Sequence, residues 1–229
     1  MSKKILLFFL FFTVSIHSKA EESIILFGVE KEKEAGYYYL GHITPLQNSK
    51  LGAGYVQRFW LDYNNFNYNL TTSNIDAKAK GASYALGYQN SLNNNFSYAG
   101  FIGAGIRNTD LSPNDPGNKS EGTKINPMII IEAEQKFNNF YKLNFNASSE
   151  PNVESYWSRL RFSFGETIKV GPEFTMQGDP SYDTKKMALF ISDIEIGNEI
   201  KMGAKIGQSK TNGSGHEAFI GIEFVKLLK

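Results

Sequence analysis

The chain has 229 residues, no cysteine and a nearly balanced charge, with 24 Lys and Arg against 23 Asp and Glu. The lack of cysteine excludes a disulfide framework, a thiol nucleophile, a Cys-ligated metal and a Cys-linked lipid anchor. The balanced charge is untypical of nucleic-acid-binding proteins, which present a basic surface. Aromatic residues make up 14% of the chain and 21 residues are glycine, a composition that favours strands with one apolar face.

The first twenty residues predict a secretory signal peptide. Lys3 and Lys4 precede an apolar run from Ile5 to Ile16, and Ser18 and Ala20 occupy the two positions that signal peptidase reads. This run is shorter than the roughly 20 residues that a membrane-spanning helix needs. We therefore expect residues 1–20 to be removed and residues 21–229 to form one domain. A short N-terminal membrane anchor is the alternative interpretation.

Apolar and polar side chains alternate with a period of two along the rest of the chain. Leu160 and Phe162 share one face of a segment whose other face carries Arg159 and Arg161. Turn-forming clusters rich in Asn, Asp, Gly and Pro separate such segments. We predict about twelve strands, at residues 24–30, 37–45, 55–63, 79–88, 96–107, 123–135, 141–149, 155–165, 168–178, 185–192, 199–208 and 217–227.

This alternation predicts a single antiparallel transmembrane β-barrel, with a soluble β-sandwich as the alternative. Charges in the middle of a strand, such as Arg159 and Arg161, would line a polar lumen and find acidic partners there, with Glu132, Glu134 and Glu173 as candidates. In hydrocarbon only a helix or an edgeless sheet satisfies every backbone group. We therefore expect a barrel surrounded by lipid in the outer membrane of a Gram-negative bacterium. The final strand ends its apolar alternation at Phe224, although five further residues follow that aromatic.

Six short stretches, in this order and spacing, resemble the cellulose biosynthesis protein BcsS family. They are YYLG at 38–41, LGYQ at 86–89, LSPNDP at 111–116, YWSRLR at 156–161, VGPE at 170–173 and GDPSYD at 178–183. The resemblance extends from about residue 27 to residue 191. It implies an outer-membrane barrel that takes part in bacterial cellulose production, with a glucan chain or other components of cellulose secretion as partners. It supplies no catalytic residue and no cofactor.

A polar site in the lumen is the main functional candidate from the sequence. Arginine and carboxylate groups can bind sugar hydroxyls, and Trp rings can stack on the apolar face of a sugar. An alternative is that the same side chains form a structural ion-pair network. The candidate residues are Trp60, Asp62, Glu132, Glu134, Trp157, Arg159, Arg161 and Glu173.

Other features of the sequence carry weaker hypotheses. The turn from Ser112 to Gly117 contains two prolines and is either an external loop folded into the lumen or a rigid turn. A catalytic group of Ser214, His216 and Glu217 is disfavoured, because alternation puts His216 and Glu217 on opposite faces. We expect no metal site. The sequence thus favours a non-catalytic conduit or assembly factor for cellulose, with an outer-membrane enzyme acting on lipid or glycan, or a small channel unrelated to cellulose, as alternatives.

Overall fold

A computed structural model describes residues 22–69, 73–213 and 215–229; the predicted signal peptide lies outside these ranges. Twelve strands form a closed antiparallel barrel, which confirms the predicted fold class. The strands are β1 (Ser23–Glu32), β2 (Gly36–Pro45), β3 (Gly54–Asn69), β4 (Asn74–Asn93), β5 (Phe96–Ser112), β6 (Gly122–Lys136), β7 (Tyr141–Glu150), β8 (Ser155–Phe164), β9 (Lys169–Asp179), β10 (Tyr182–Gly197), β11 (Ile200–Thr211) and β12 (His216–Leu228).

Each strand pairs with its neighbours in the chain, and β1 pairs with β12 to close the cylinder. The closing register runs from Ser23 opposite Leu228 to Glu32 opposite Phe219. Closure removes the free edges that a bilayer would leave without hydrogen-bond partners. Within the described ranges, no helix is long and apolar enough to cross a membrane.

The two ends of the barrel differ. One end, here called the terminal end, holds the start of β1 and the end of β12. The other, the hairpin end, holds six connections, of which the longest spans residues 113–121. The hairpin of β3 and β4 runs further towards this end than predicted, because an Asn-rich stretch continues in regular pairing from Asn64 opposite Ala79 to Asn69 opposite Asn74. Strand pairing here overrides the low β-propensity of asparagine.

The outward face of the barrel is a broad apolar surface. Ile102 is 72% exposed, Leu189 67% and Ile206 63%, and other large apolar side chains surround them on neighbouring strands. Such exposure would be unfavourable in water and is the expected arrangement when hydrocarbon surrounds a barrel. The outward alternation predicted from sequence for Leu160 and Phe162 is confirmed.

The inward face is packed rather than empty. An apolar cluster fills part of the interior; it contains Ile43, Val56, Ala85, Ala99, Phe101 and Ile130. Glycines on neighbouring strands make room for the large members of the inward face. A Cβ at Gly87 would lie 2.2 Å from the Phe101 ring, so this position must be glycine for Phe101 to lie flat across β4.

Candidate functional site

Arg161 is the centre of the polar interior. It lies on β8 directly opposite Glu173 of β9, and its Nε donates to Glu173 Oε2. Its two terminal nitrogens donate to the carboxylate of Glu223 on β12, at 2.6 and 3.1 Å. Three strands separate β8 from β12 around the barrel, so this fork of hydrogen bonds crosses the lumen.

Lysine side chains continue the ion pairs towards β1. Lys205 Nζ lies 2.7 Å from Glu173 Oε1 and 2.7 Å from Glu30 Oε2. Lys186 donates to Glu30 and, at 2.6 Å, to Glu32 Oε1. These contacts join β9, β10, β11 and β1 through one continuous chain of charges.

We call this set the ion-pair network. Its members are Glu30, Glu32, Arg159, Arg161, Glu173, Lys186, Lys205 and Glu223. Four cations meet four carboxylates, so the network is formally neutral, and it spans six adjacent strands, which is half of the barrel wall. Glu173 is 1% exposed, and a charge buried to that degree requires such compensation.

Buried aromatic rings make cation–π contacts with three cations of the network. The Arg161 guanidinium lies 4.8 Å from the centre of the Phe190 ring. The ammonium groups of Lys186 and Lys205 lie 5.3 and 5.5 Å from the Phe219 ring centre. Phe190 and Phe219 are both buried, so these contacts take place away from water, where cation–π attraction is strongest.

Trp60 belongs to a second polar and aromatic group on β2 and β3, here called the Trp60 group, which consists of Tyr37, Tyr39, Arg58 and Trp60. Its ring stacks on Tyr39 at 4.8 Å with an angle of 10° between the planes, and the Arg58 guanidinium lies 4.2 Å from the ring centre. The indole Nε1 donates to the Tyr37 hydroxyl at 3.3 Å. Gly41 lies directly opposite Trp60, and its lack of a side chain leaves room for the ring. The Trp60 ring is thus held by packing contacts with Tyr39 and Arg58 inside the barrel.

The remaining acidic candidates lie outside the ion-pair network. Asp62 binds Arg107 at 2.9 and 3.0 Å. Glu132 lies 3.8 Å from Arg58, not beside Arg159 or Arg161. The expectation that Glu132 would pair with those two arginines was wrong: β8 lies nearer to β6 around the wall than β3 does, yet Glu132 meets Arg58 of β3 inside the barrel. One sequence does not show which inward side chains meet across the lumen.

Glu134 was also expected to form ion pairs with Arg159 and Arg161, and this prediction was wrong as well. It accepts a hydrogen bond from Asn144 at 2.8 Å and lies 3.3 Å from Lys142, both on the adjacent strand β7. Glu134 is therefore a partner of its own hairpin near the terminal end. Of the three acids predicted to face Arg159 and Arg161, only Glu173 does so.

Arg159 and Trp157 lie at the edge of the ion-pair network. Arg159 is 3.7 Å from Glu223 and 5.5 Å from the centre of the Trp157 ring. Its Nε is buried and has no hydrogen-bond partner, in contrast to the fully paired Arg161. Trp157 is only partly covered.

Aromatic contact also crosses the lumen at the hairpin end. Phe66 of β3 meets Tyr182 of β10, with ring centres 5.0 Å apart, although four strands separate β3 from β10 around the wall. The two rings therefore bridge the opening instead of lining it.

The connection 113–121 closes the opening further. Tyr68 is an inward residue of β3; its hydroxyl donates to Asp115 at 2.7 Å and accepts from Asn118 at 3.0 Å. Ser120 donates to Asp179 of β9 at 3.3 Å. Of the two alternatives for the Ser112–Gly117 turn, these contacts match the folded-in loop.

Two cavities flank the packed interior. The one at the hairpin end, about 120 Å³, is lined by Tyr37, Asn64, Phe66, Gln177, Tyr182 and carboxylates of β1. The one at the terminal end is about 530 Å³ and is lined by charged side chains, including Glu134, Lys142, Lys169 and Lys201. Part of the ion-pair network, namely Glu30, Glu32 and Lys186, lines the hairpin-end cavity.

The catalytic candidates do not assemble. His216 is exposed on the outer wall, whereas Glu217 lines the hairpin-end cavity, as the alternation predicted; Ser214 lies outside the described residues.

Sequence reasoning missed five of the eight members of the ion-pair network. Each is a charged residue on the polar side of an alternating strand, but none was proposed as a site residue: Glu30, Glu32, Lys186, Lys205 and Glu223. In the sequence, Glu223 is a charged residue between the apolar residues Ile222 and Phe224 of the last strand. This was the available signal that it faces the lumen. The contacts among these charged side chains depend on which strands face each other across the lumen. A single sequence does not show which strands those are.

Among solved structures, the KdgM porin is similar, with 11% identity, a TM-score of 0.49, and coverage of 88% of this chain and 98% of the porin. The translocator domain of the autotransporter NalP from Neisseria meningitidis is also similar, with 10% identity, a TM-score of 0.47, and coverage of 97% and 94%. Both TM-scores are below 0.5, too low to carry a conclusion about this chain.

No curated protein matched the sequence. The family model of the cellulose biosynthesis protein BcsS matches residues 25–228, which is nearly all of the described barrel. The chain therefore belongs to the cellulose biosynthesis protein BcsS family.

Proposed function

We propose that this protein is an outer-membrane accessory of cellulose secretion whose lumen is blocked by side chains. It assists assembly or anchoring and does not conduct glucan. The membership of the family supports the link to cellulose. The closed barrel with its apolar outer wall supports insertion in a bilayer, and the predicted signal peptide at residues 1–20 would direct the chain to it.

The observation that carries this proposal is the Arg161–Glu223 contact across the lumen. Nitrogen and oxygen atoms 2.6 Å apart leave no space for a sugar ring between them. A conduit would have to break these hydrogen bonds, together with those of Glu173, each time a chain passed. Separating buried charges in this way costs several kcal/mol. The network therefore favours a lumen that stays blocked over one that opens for a glucan chain.

A second candidate function is contact with glucan at the hairpin end, without passage. The cavity there combines the aromatic rings of Phe66 and Tyr182 with the amides of Asn64 and Gln177. Amides both donate and accept hydrogen bonds, as sugar hydroxyls do, and rings cover the apolar face of a sugar. This geometry favours the hairpin-end cavity over the Trp60 and Trp157 positions proposed from sequence.

A deletion and complementation experiment in a cellulose-producing host tests the leading proposal. Deletion should lower secreted cellulose, and the wild-type gene should restore it. A Phe66→Ala/Tyr182→Ala variant, which removes the ring contact over the opening, should restore it equally if glucan does not pass through. Unchanged cellulose after deletion would contradict a role in secretion, and an altered output from the double variant would support passage or contact at the hairpin end.

A further inference from the structure

Two lysines face each other on the outer wall near the hairpin end. Lys185 of β10 lies directly opposite Lys210 of β11, and Lys210 lies directly opposite His216 of β12. All three side chains are exposed and point away from the lumen. They form a basic row across three adjacent strands.

No ion pair compensates the two lysines of this row. Among the described residues neither lysine has an ion pair or hydrogen bond through its ammonium group. Asp183, two residues before Lys185 on the same outward face, accepts a hydrogen bond from the Tyr156 hydroxyl at 2.9 Å and makes no ion pair with Lys185. Like charges directly opposite on paired strands repel each other, so the arrangement favours an external anion.

The position of the row defines where that anion would be. On the same outward faces, the next residues towards the middle of the barrel include Met187, which is 60% exposed, and then Leu189 and Ile206 of the apolar surface. Alternate residues of a strand are about 7 Å apart. The ammonium groups therefore lie at the border of the apolar surface, at the depth of lipid headgroups.

We propose that Lys185 and Lys210 bind the phosphate groups of a phosphorylated glycolipid in the outer leaflet, with the hairpin end facing the cell exterior. Two neighbouring ammonium groups suit a lipid that carries two phosphates on a sugar headgroup. Long connections of outer-membrane barrels face outward, and the 113–121 connection with the extended β3–β4 hairpin lies at this end. The inference rests on the proposed outer-membrane location and is independent of the role in cellulose secretion.

The barrel provides a matched control on another wall. Lys78 and Lys80 of β4 also point outward near the hairpin end, but Lys78 lies directly opposite Asp110 of β5. Lys78 thus faces an acid and Lys80 faces Asn108, so neither lysine has another lysine directly opposite. The β4 lysines should therefore contribute little to phosphate binding, although they have the same chemistry and exposure.

The test uses the folded barrel in zwitterionic detergent and measures binding of diphosphorylated lipid A by native mass spectrometry. A Lys185→Gln/Lys210→Gln variant should bind about thirtyfold more weakly, since each lysine near an anionic lipid surface contributes on the order of 1 kcal/mol. A Lys78→Gln/Lys80→Gln variant should bind like the wild type. Dephosphorylated lipid A should bind the wild type as weakly as lipid A binds the Lys185/Lys210 variant.

Several outcomes would overturn the proposal. These are equal affinity of the wild type and the Lys185/Lys210 variant, displacement of lipid A by equimolar inorganic phosphate, and equally tight binding of phosphatidylglycerol. A Lys210→Glu variant tests whether weaker lipid A binding is caused by misfolding. It replaces the repulsion between Lys185 and Lys210 with attraction between opposite charges. It should raise the urea midpoint in lipid-free detergent and yet lower lipid A binding; a fall in both measures would contradict the assignment.

Discussion

Arg161 and Glu223 join two walls of the barrel through a fork of hydrogen bonds of 2.6 and 3.1 Å, although three strands separate them around the cylinder. Glu173 shares the same guanidinium and is almost completely buried. The interior is thus held together by charges that satisfy each other, and a single substitution at its centre would leave a buried carboxylate without its partner.

Replacing Arg161 with Met should strongly destabilise the barrel. The change leaves Glu173 and Glu223 without their arginine, and removing one partner of a buried pair typically costs about 3–5 kcal/mol. Urea unfolding in lipid vesicles, followed by tryptophan fluorescence, measures this as a lower free energy of unfolding. Arg161→Lys retains the charge but not the fork and should lose less; equal stability of all three proteins would contradict a central role for Arg161.

Gly41→Ala should disturb the Trp60 group. A Cβ at Gly41 would lie 2.3 Å from the Trp60 ring, which is stacked on Tyr39 and cannot move aside freely. We expect a loss of about 1–3 kcal/mol in the free energy of unfolding, the usual range for overpacking. Gly100→Ala is the control, since nothing lies within 4 Å of a Cβ there. If both variants unfold at the same urea concentration, the result would contradict close packing of the Trp60 ring against Gly41.

A lysine in the middle of the apolar outer wall should impair membrane insertion. Ile206 is 63% exposed on β11 and faces the proposed hydrocarbon. Ile206→Lys should cost about 2–4 kcal/mol if this position lies near the midplane of the bilayer. Gln208→Lys, on the same face but closer to the hairpin end, should cost at most about 1 kcal/mol. Folding yield into vesicles measures both, and equal yields would argue against lipid at Ile206.

Removal of the contacts at the hairpin end should affect only the opening. Phe66→Ala removes the ring contact with Tyr182, and Tyr68→Phe removes the hydroxyl that binds Asp115 and Asn118. Because the contacts of Arg161 with Glu173 and Glu223 involve neither Phe66 nor Tyr68, we expect single-channel conductance in planar bilayers to remain low in both variants. A large conductance in Phe66→Ala would show that the aromatic contact, and not the network, closes the lumen.

The fold was largely predictable from the sequence, and the site only in part. The alternation around Arg159 and Leu160 assigned inside and outside correctly, because the side-chain period of a strand is fixed at two. The pairing of Arg161 with Glu173 followed from consecutive strands joined by a short turn. The contact with Glu223 did not, because a contact across the lumen depends on the shear and diameter of the barrel, which no local pattern encodes.

The closed lumen is the central claim, and its most direct test is permeation of sugar through the purified barrel. Liposomes containing the folded protein are placed in cellobiose or cellotetraose, and swelling is followed by light scattering, with empty liposomes and a known open porin as references. The account predicts swelling no faster than that of empty liposomes. Swelling with cellotetraose at a rate comparable to the open porin would contradict it.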